Sequence, residues 1–193
     1  TGVGVTTELN GTPRGETTVT ESALSRRNAA LWSAERPNLY ALVGELLDPR
    51  GRVAQTFSVI TGFRKIEIRD TPAEEDEFGL AGRYFYLNGK PIKLKGVNRQ
   101  EINPETGNTI TREQMIDEIM LMKRGNINHI RLSHYPNAPI FYYLCNLFGL
   151  YLEDEANCES HAYYYGEASL SHVPEFTNAT VQRRMNMVAA HVN

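Results

Sequence analysis

Apolar and polar positions alternate with period two along the first part of the chain and change to a helical rhythm beyond about residue 90. Val3, Val5 and Thr7, then Tyr40, Leu42, Gly44 and Leu46 set against Ala41, Val43 and Glu45, read as antiparallel strands. Two strand-length runs, residues 42–47 and 53–60, flank Asp48-Pro49-Arg50-Gly51, a turn-forming tetrapeptide, and so predict a hairpin. A second strand pair is expected within residues 66–86, split by Glu74, Glu75, Asp76 and Glu77, which read as a solvated loop. Leu87-Asn88-Gly89-Lys90 is a tight turn leading into a strand over residues 92–97.

From there the pattern becomes strand, helix, strand, helix. Thr111 with Gln114 three residues on is a capping box, and Met115, Ile116, Ile119, Met120 and Met122 fall at helical spacing before Gly125, which predicts a helix over 112–124. A strand over 127–133, a helix over 138–148 stopped by Gly149, a strand over 150–154 and a helix over 178–192 capped by Asn178 follow. Such alternation argues for parallel strands covered by helices. At roughly 34 residues per strand–helix unit, eight units would need about 270 residues, so 92–193 reads as the first part of a barrel.

The composition agrees with a globular chain: 41% hydrophobic and 22% charged residues exclude collagen-like and disordered classes. Twenty basic against 23 acidic side chains leave a net charge of −3 without long like-charge blocks, so no nucleic-acid or acidic-lipid surface is expected. The most apolar stretch, residues 140–152, is broken by Asn146 and Gly149 and falls short of the roughly 20 residues a membrane helix needs. Cys145 and Cys158 form no disulfide framework and read as two small buried residues. The chain opens on Thr1 without an initiator Met and reads as a piece of something longer.

Polar residues cluster at three successive strand ends: Asn98 to Glu101, Arg131 to Tyr135, and Glu153 to Asn157 with Glu159 and His161 just after. In α/β barrels these ends carry the chemistry. Parity in the second strand separates Ile130 and Leu132, suited to pack on helices, from His129, Arg131 and Ser133, suited to the interior. An inward Arg131 needs an anion, either as a structural ion pair with a third-strand carboxylate or as an orienter of a catalytic group. His134 and His161 with Glu153, Asp154 or Glu155 would be a metal set, but the HExxH spacing is absent. Glu155 with Glu159 or Glu101 has the residue type of a glycosidase pair, and Tyr163-Tyr164-Tyr165 that of a sugar platform or of ordinary packing. Asn10-Gly11-Thr12 and Asn178-Ala179-Thr180 match the glycosylation triplet.

Trp32-Ser33-Ala34-Glu35-Arg36-Pro37-Asn38-Leu39-Tyr40, Gly62-Phe63-Arg64, Leu87-Asn88-Gly89-Lys90-Pro91, Gly96-Val97-Asn98-Arg99, Arg131-Leu132-Ser133-His134-Tyr135-Pro136-Asn137 and Asp154-Glu155-Ala156-Asn157, ending in Ser160-His161, occur in that order. In these motifs the chain resembles the β-galactosidase branch of glycoside hydrolase family 2. The resemblance implies a partial immunoglobulin-like β-sandwich over 1–64, connecting strands and an acidic loop over 65–87, and the first three βα units of a (β/α)8 TIM barrel over 88–193, with no core shared between the first and last of these across the Glu74–Glu77 loop. It also implies a retaining exo-β-galactosidase that cleaves terminal β-galactosides through a covalent glycosyl-enzyme.

In that family the acid/base follows an Asn in an Asn-Glu pair at the end of strand four, and the nucleophile ends strand seven. This sequence has no Asn-Glu pair, so both catalytic glutamates are expected outside it. The resemblance makes Arg131 the nucleophile-orienting arginine and His134 and His161 substrate-binding histidines. It places the family's magnesium and sodium ligands outside the chain. Gln100, Ile102 and Asn103 stand where the family often has histidines, and Ala162 where Gly is usual; these departures bear on sugar and aglycone preference. The competing expectations are a β-glucuronidase of the same family and, from another class, a non-catalytic module that binds carbohydrate or protein. A partial barrel leaves strand edges unpaired, so association with a further copy is expected.

Overall fold

A computed structural model describes residues 4–5, 26–159, 161 and 166–191. The chain divides into a unit of residues 1–30 and a unit of residues 31–193. Of the first unit, only residues 4–5 and 26–30 are described, and they carry no strand or helix. Val3, Thr7, the Asn10 triplet, Ala162 and the run Tyr163 to Tyr165 lie outside the described residues.

The second unit opens with a hairpin, β1 (Tyr40–Leu47) against β2 (Val53–Thr61), in antiparallel register from Tyr40↔Thr61 to Leu47↔Val53. The carboxylate of Asp48 holds its turn, accepting from the backbone N–H groups of Arg50 (2.8 Å) and Arg52 (3.0 Å) and from Arg52 Nε (2.8 Å). A three-stranded sheet follows, in order β3 (Ile66–Thr71), β4 (Gly82–Leu87), β5 (Lys90–Pro91). Asn88 and Gly89 have φ of 52° and 79°, the left-handed pair that a two-residue hairpin turn demands. Between β3 and β4 the acidic segment forms a single 3-10 turn at Ala73–Glu75 with no buried residue.

The α/β layer consists of β6 (Gly96–Arg99), α1 (Arg112–Arg124), β7 (His129–Leu132), α2 (Pro139–Phe148), β8 (Tyr151–Glu153) and α3 (Thr177–His191). The strands form one parallel sheet in order β6-β7-β8. The capping box of α1 is present in full: Thr111 Oγ1 accepts from Gln114 N–H at 3.2 Å and Gln114 Oε1 from Thr111 N–H at 2.9 Å. Gly149 ends α2 with φ of 77°, and a Cβ there would lie 2.3 Å from the carbonyl oxygen of Ala34, so the position needs glycine on both counts. Met115, Ile119, Ile130, Leu132, Phe141, Leu144, Cys145 and Leu150 form the core between the sheet and α1 and α2. Burial there pushes the Cys145 thiol up to about 12. Among the described residues no helix is long and apolar enough to cross a membrane.

Four expectations are corrected. Cys158, expected to be buried, is only half-buried. The strand expected over 92–97 begins only at Gly96. Before it, the buried amide of Asn128 takes the place of a ladder partner, accepting from Lys95 N–H (2.7 Å) and donating to Lys93 O (2.9 Å). The last helix starts at Thr177, which puts Asn178 inside its first turn and not at its cap. The first and last regions do share a core: Trp32 is buried, donates from Nε1 to Asn146 O of α2 (2.9 Å), and meets the Tyr151 ring edge-on at 5.7 Å. The Arg64 guanidinium stacks on Trp32 at 4.6 Å and also reaches Asn146 Oδ1 (3.3 Å). A buried indole with a polar edge needs both an apolar wall and an acceptor, and α2 with β8 supplies them.

Candidate active site

Parallel register aligns Asn98, Arg131 and Glu153 across the sheet, with Gly96, His129 and Tyr151 one layer below. Because successive side chains leave opposite faces, Ile130 and Leu132 enter the core while His129 and Arg131 line an open hollow with Gly96, Val97, Asn98 and Glu153. His129 packs so tightly over Gly96 that a Cβ there would sit 2.3 Å from its Nδ1. Burial lowers the pKa of His129, against the opposing pull of Glu153.

Beyond the strand ends, cations and carboxylates alternate. Arg131 Nη2 pairs closely with Glu155 Oε1, and its Nε stands 3.9 Å from Glu153 Oε1. Glu155 Oε2 lies 2.9 Å from His134 Nδ1, and Arg131 Nη2 lies 3.2 Å from the same nitrogen. A carboxylate only accepts and a guanidinium only donates, so Nδ1 serves one of them; the shorter contact puts its proton toward Glu155. With Nδ1 turned to Glu155, Nε2 is the ring nitrogen left for a further partner. That atom stands 3.7 Å from Glu159 Oε1, which His161 Nδ1 meets at 2.9 Å. The two imidazole centroids are 6.5 Å apart. The predicted Arg131, His134 and His161 are thus gathered into one cluster, tied by Glu155 and Glu159. The structural ion pair weighed for Arg131 also exists, with Glu155 just after β8.

The other carboxylates weighed from sequence are committed elsewhere. Glu101 is buried, and its Oε2 accepts from Ala138 N–H at the start of α2 (2.8 Å). Asp154 accepts from Tyr142 OH (3.0 Å) and pairs with His191 Nδ1 (2.5 Å), whose ring stacks on Tyr142 at 4.0 Å. Burial, the largest cause, with Asp154 beside it, raises the Tyr142 pKa above the ordinary phenol value. Among the described residues no group of three or more His, Cys, Asp or Glu side chains converges to hold a metal. The Asp154–His191 pair escaped the sequence reading because its members are 37 residues apart and neither belongs to a spaced motif.

A parallel βαβαβ layer with polar strand ends on one side is the arrangement with which an α/β barrel opens. The family description "Glycosyl hydrolases family 2, TIM barrel domain" matches residues 78–193, and "Glycosyl hydrolases family 2" matches residues 3–64. The chain belongs to the glycosyl hydrolases of family 2 and contains the beginning of their TIM-barrel domain. It is 41% identical over 170 residues to a β-galactosidase of Vibrio vulnificus, covering 88% of this chain and 15% of that protein. A Bifidobacterium dentium β-glucuronidase structure is 30% identical with a TM-score of 0.59, over 67% of this chain and 19% of the other. A β-glycosidase from Bacteroides vulgatus is 25% identical with a TM-score of 0.63, over 86% and 20%. The chain spans about 15% of the length of the curated relatives it matches.

Proposed function

We propose that the full-length protein carrying this chain is a retaining exo-β-galactosidase that hydrolyses terminal β-D-galactosides through a covalent glycosyl-enzyme. The 41% identity to a β-galactosidase carries this reading. Residues 1–64 are then part of an immunoglobulin-like sandwich, 65–87 the connection, and 88–193 the first three βα units of the barrel. Both catalytic glutamates, with any magnesium or sodium ligands, lie outside this chain, and association into a homo-oligomer belongs to the same reading. Within the chain, His134 and His161 bind sugar hydroxyls and Arg131 orients the nucleophile.

The mechanism this wall supports is one of holding. Glu155 fixes the His134 tautomer, so Nε2 can accept from a sugar hydroxyl, and Arg131 is pinned beside it with its positive charge facing the barrel interior. Such contacts accelerate hydrolysis only so far as they tighten when the ring flattens toward an oxocarbenium-like transition state. The Bifidobacterium neighbour raises β-glucuronidase as the second reading. Charge opposes it: among the described residues of this wall Glu153, Glu155 and Glu159 outnumber the Arg131 guanidinium, so a uronate carboxylate would meet repulsion where a neutral hexose would not. Assay of the full-length protein on nitrophenyl β-D-galactoside and β-D-glucuronide tests this. A kcat/KM at least about a hundred-fold higher for the galactoside is expected, and preference for the glucuronide would overturn it.

A further inference from the structure

Arg99 ends β6, and parity sends it to the helix side of the sheet, away from the hollow, where it is buried. Its Nε donates to Glu118 Oε2 of α1 at 2.7 Å and its Nη1 to Asn137 Oδ1 at 2.6 Å, and its guanidinium carbon lies 3.9 Å from the centre of the Phe141 ring. Asn137 passes the restraint on, donating from Nδ2 to Tyr135 O (3.2 Å) and from its backbone N–H to Tyr142 OH (3.0 Å). From the same strand end, Glu101 accepts from Ala138 N–H through its side chain and from Tyr135 OH (3.4 Å) through its carbonyl. Ser133 N–H donates to Arg99 O at 2.8 Å. Residues 133–138, the link between β7 and α2, are therefore tethered at Ser133, Tyr135, Asn137 and Ala138. His134 projects from the middle of that run to Glu155.

Stability alone is a poor reason for this arrangement. Replacing a whole buried ion pair such as Arg99–Glu118 by well-packed apolar side chains is often neutral or stabilising, and among the described residues Arg99 Nη2 meets no acceptor. What the guanidinium fork supplies and an apolar residue cannot is direction, since its planar donors fix Asn137 and Glu118 at set angles. We propose that Arg99 is a positioning residue: acting through Asn137, it holds the 133–138 link so that His134 keeps Nδ1 on Glu155 and presents Nε2 to the sugar. This rests on the assignment of His134 to substrate binding given above.

The test is a double-mutant cycle in the full-length protein, between Arg99→Lys and His134→Ala. Lysine keeps the charge but loses the fork. Arg99→Lys is expected to lower kcat/KM about ten- to a hundred-fold in the wild-type background and less than about threefold when His134 is already alanine. Asn137→Asp, which keeps an acceptor for Arg99 and loses the donor to Tyr135 O, gives the same pattern and stands in if the lysine variant does not fold. Crystal structures of the variants should show His134 Nδ1 out of hydrogen-bond reach of Glu155. Equal losses in both backgrounds, or an imidazole still seated on Glu155, would overturn the proposal. Wild-type turnover of galactoside and glucuronide is measured first and the cycle run on whichever is cleaved, so a wrong sugar assignment leaves this test intact. If neither is cleaved, the functional reading falls and the crystal structures alone decide the positioning role.

Discussion

The parallel sheet β6–β8 and the β1–β2 hairpin are both rich in apolar residues, and they bury them very differently. In β7, Ile130 and Leu132 are 0% exposed beneath α1 and α2, whereas Val43 is 59% and Phe57 56% exposed in the hairpin. The crossover helices of a βαβ layer bring their own cover, while a two-stranded ribbon has none and is marginal by itself. The hairpin relies on registered cross-strand pairs and on Phe57 lying over Gly44, where a Cβ would come within 2.1 Å of the ring. The difference bears on chemistry: His129 and Arg131 can be aimed into the hollow because the alternate residues of their own strand are locked in a core. A strand with both faces open offers no such support.

The contrast breaks most visibly at Phe141. Phe141→Ala empties the middle of the core and is expected to cost about 3–5 kcal/mol, measured by urea unfolding of the chain. Trp32, the single tryptophan, is bonded to α2 and so reports this layer through its fluorescence. Phe57→Ala should cost only about 0.2–1 kcal/mol; a loss as large as that at Phe141 would make the hairpin part of the same cooperative core. The smallest effect is the pH dependence from His129. Burial lowers its folded pKa below the ordinary 6.5, so just below that pH the unfolded chain takes up a proton that the folded chain resists. Its contribution is complete above 6.5 and is lost as pH falls toward the lowered folded value. The difference in unfolding midpoint between wild type and His129→Gln should therefore hold steady above 6.5 and change below it. A constant difference from about pH 8 to about pH 5 would show that this burial is not felt.

What the sequence made legible was local or periodic. Helix α1 falls on the expected residues because the Thr111–Gln114 box and Gly125 mark its ends in adjacent sequence, and the parity of β7 correctly separates core from hollow. The gathering of Arg131, His134 and His161 followed from the rule that barrel strand ends converge. What stayed hidden depends on partners far along the chain. Asn128 delays β6 from 33 residues away, Trp32 finds its acceptor 114 residues on, and Arg99 reaches Asn137 across 38. No spacing within one element encodes those pairs; they exist only once the sheet and helices have packed.

On the proposed reading the face opposite the core is a sugar-binding wall, with His134 as a contact and not a packing residue. Steady-state kinetics of His134→Ala in the full-length protein, with thermal unfolding alongside, test it most directly. Losing one hydrogen bond to a sugar hydroxyl in a desolvated pocket should lower kcat/KM about ten- to a hundred-fold, with only a small fall in melting temperature from the lost Glu155 contact, because the side chain lies outside the core. A loss carried by kcat would mark a contact that strengthens in the transition state, and one carried by KM uniform binding. Wild-type efficiency in a correctly folded His134→Ala enzyme would contradict the account.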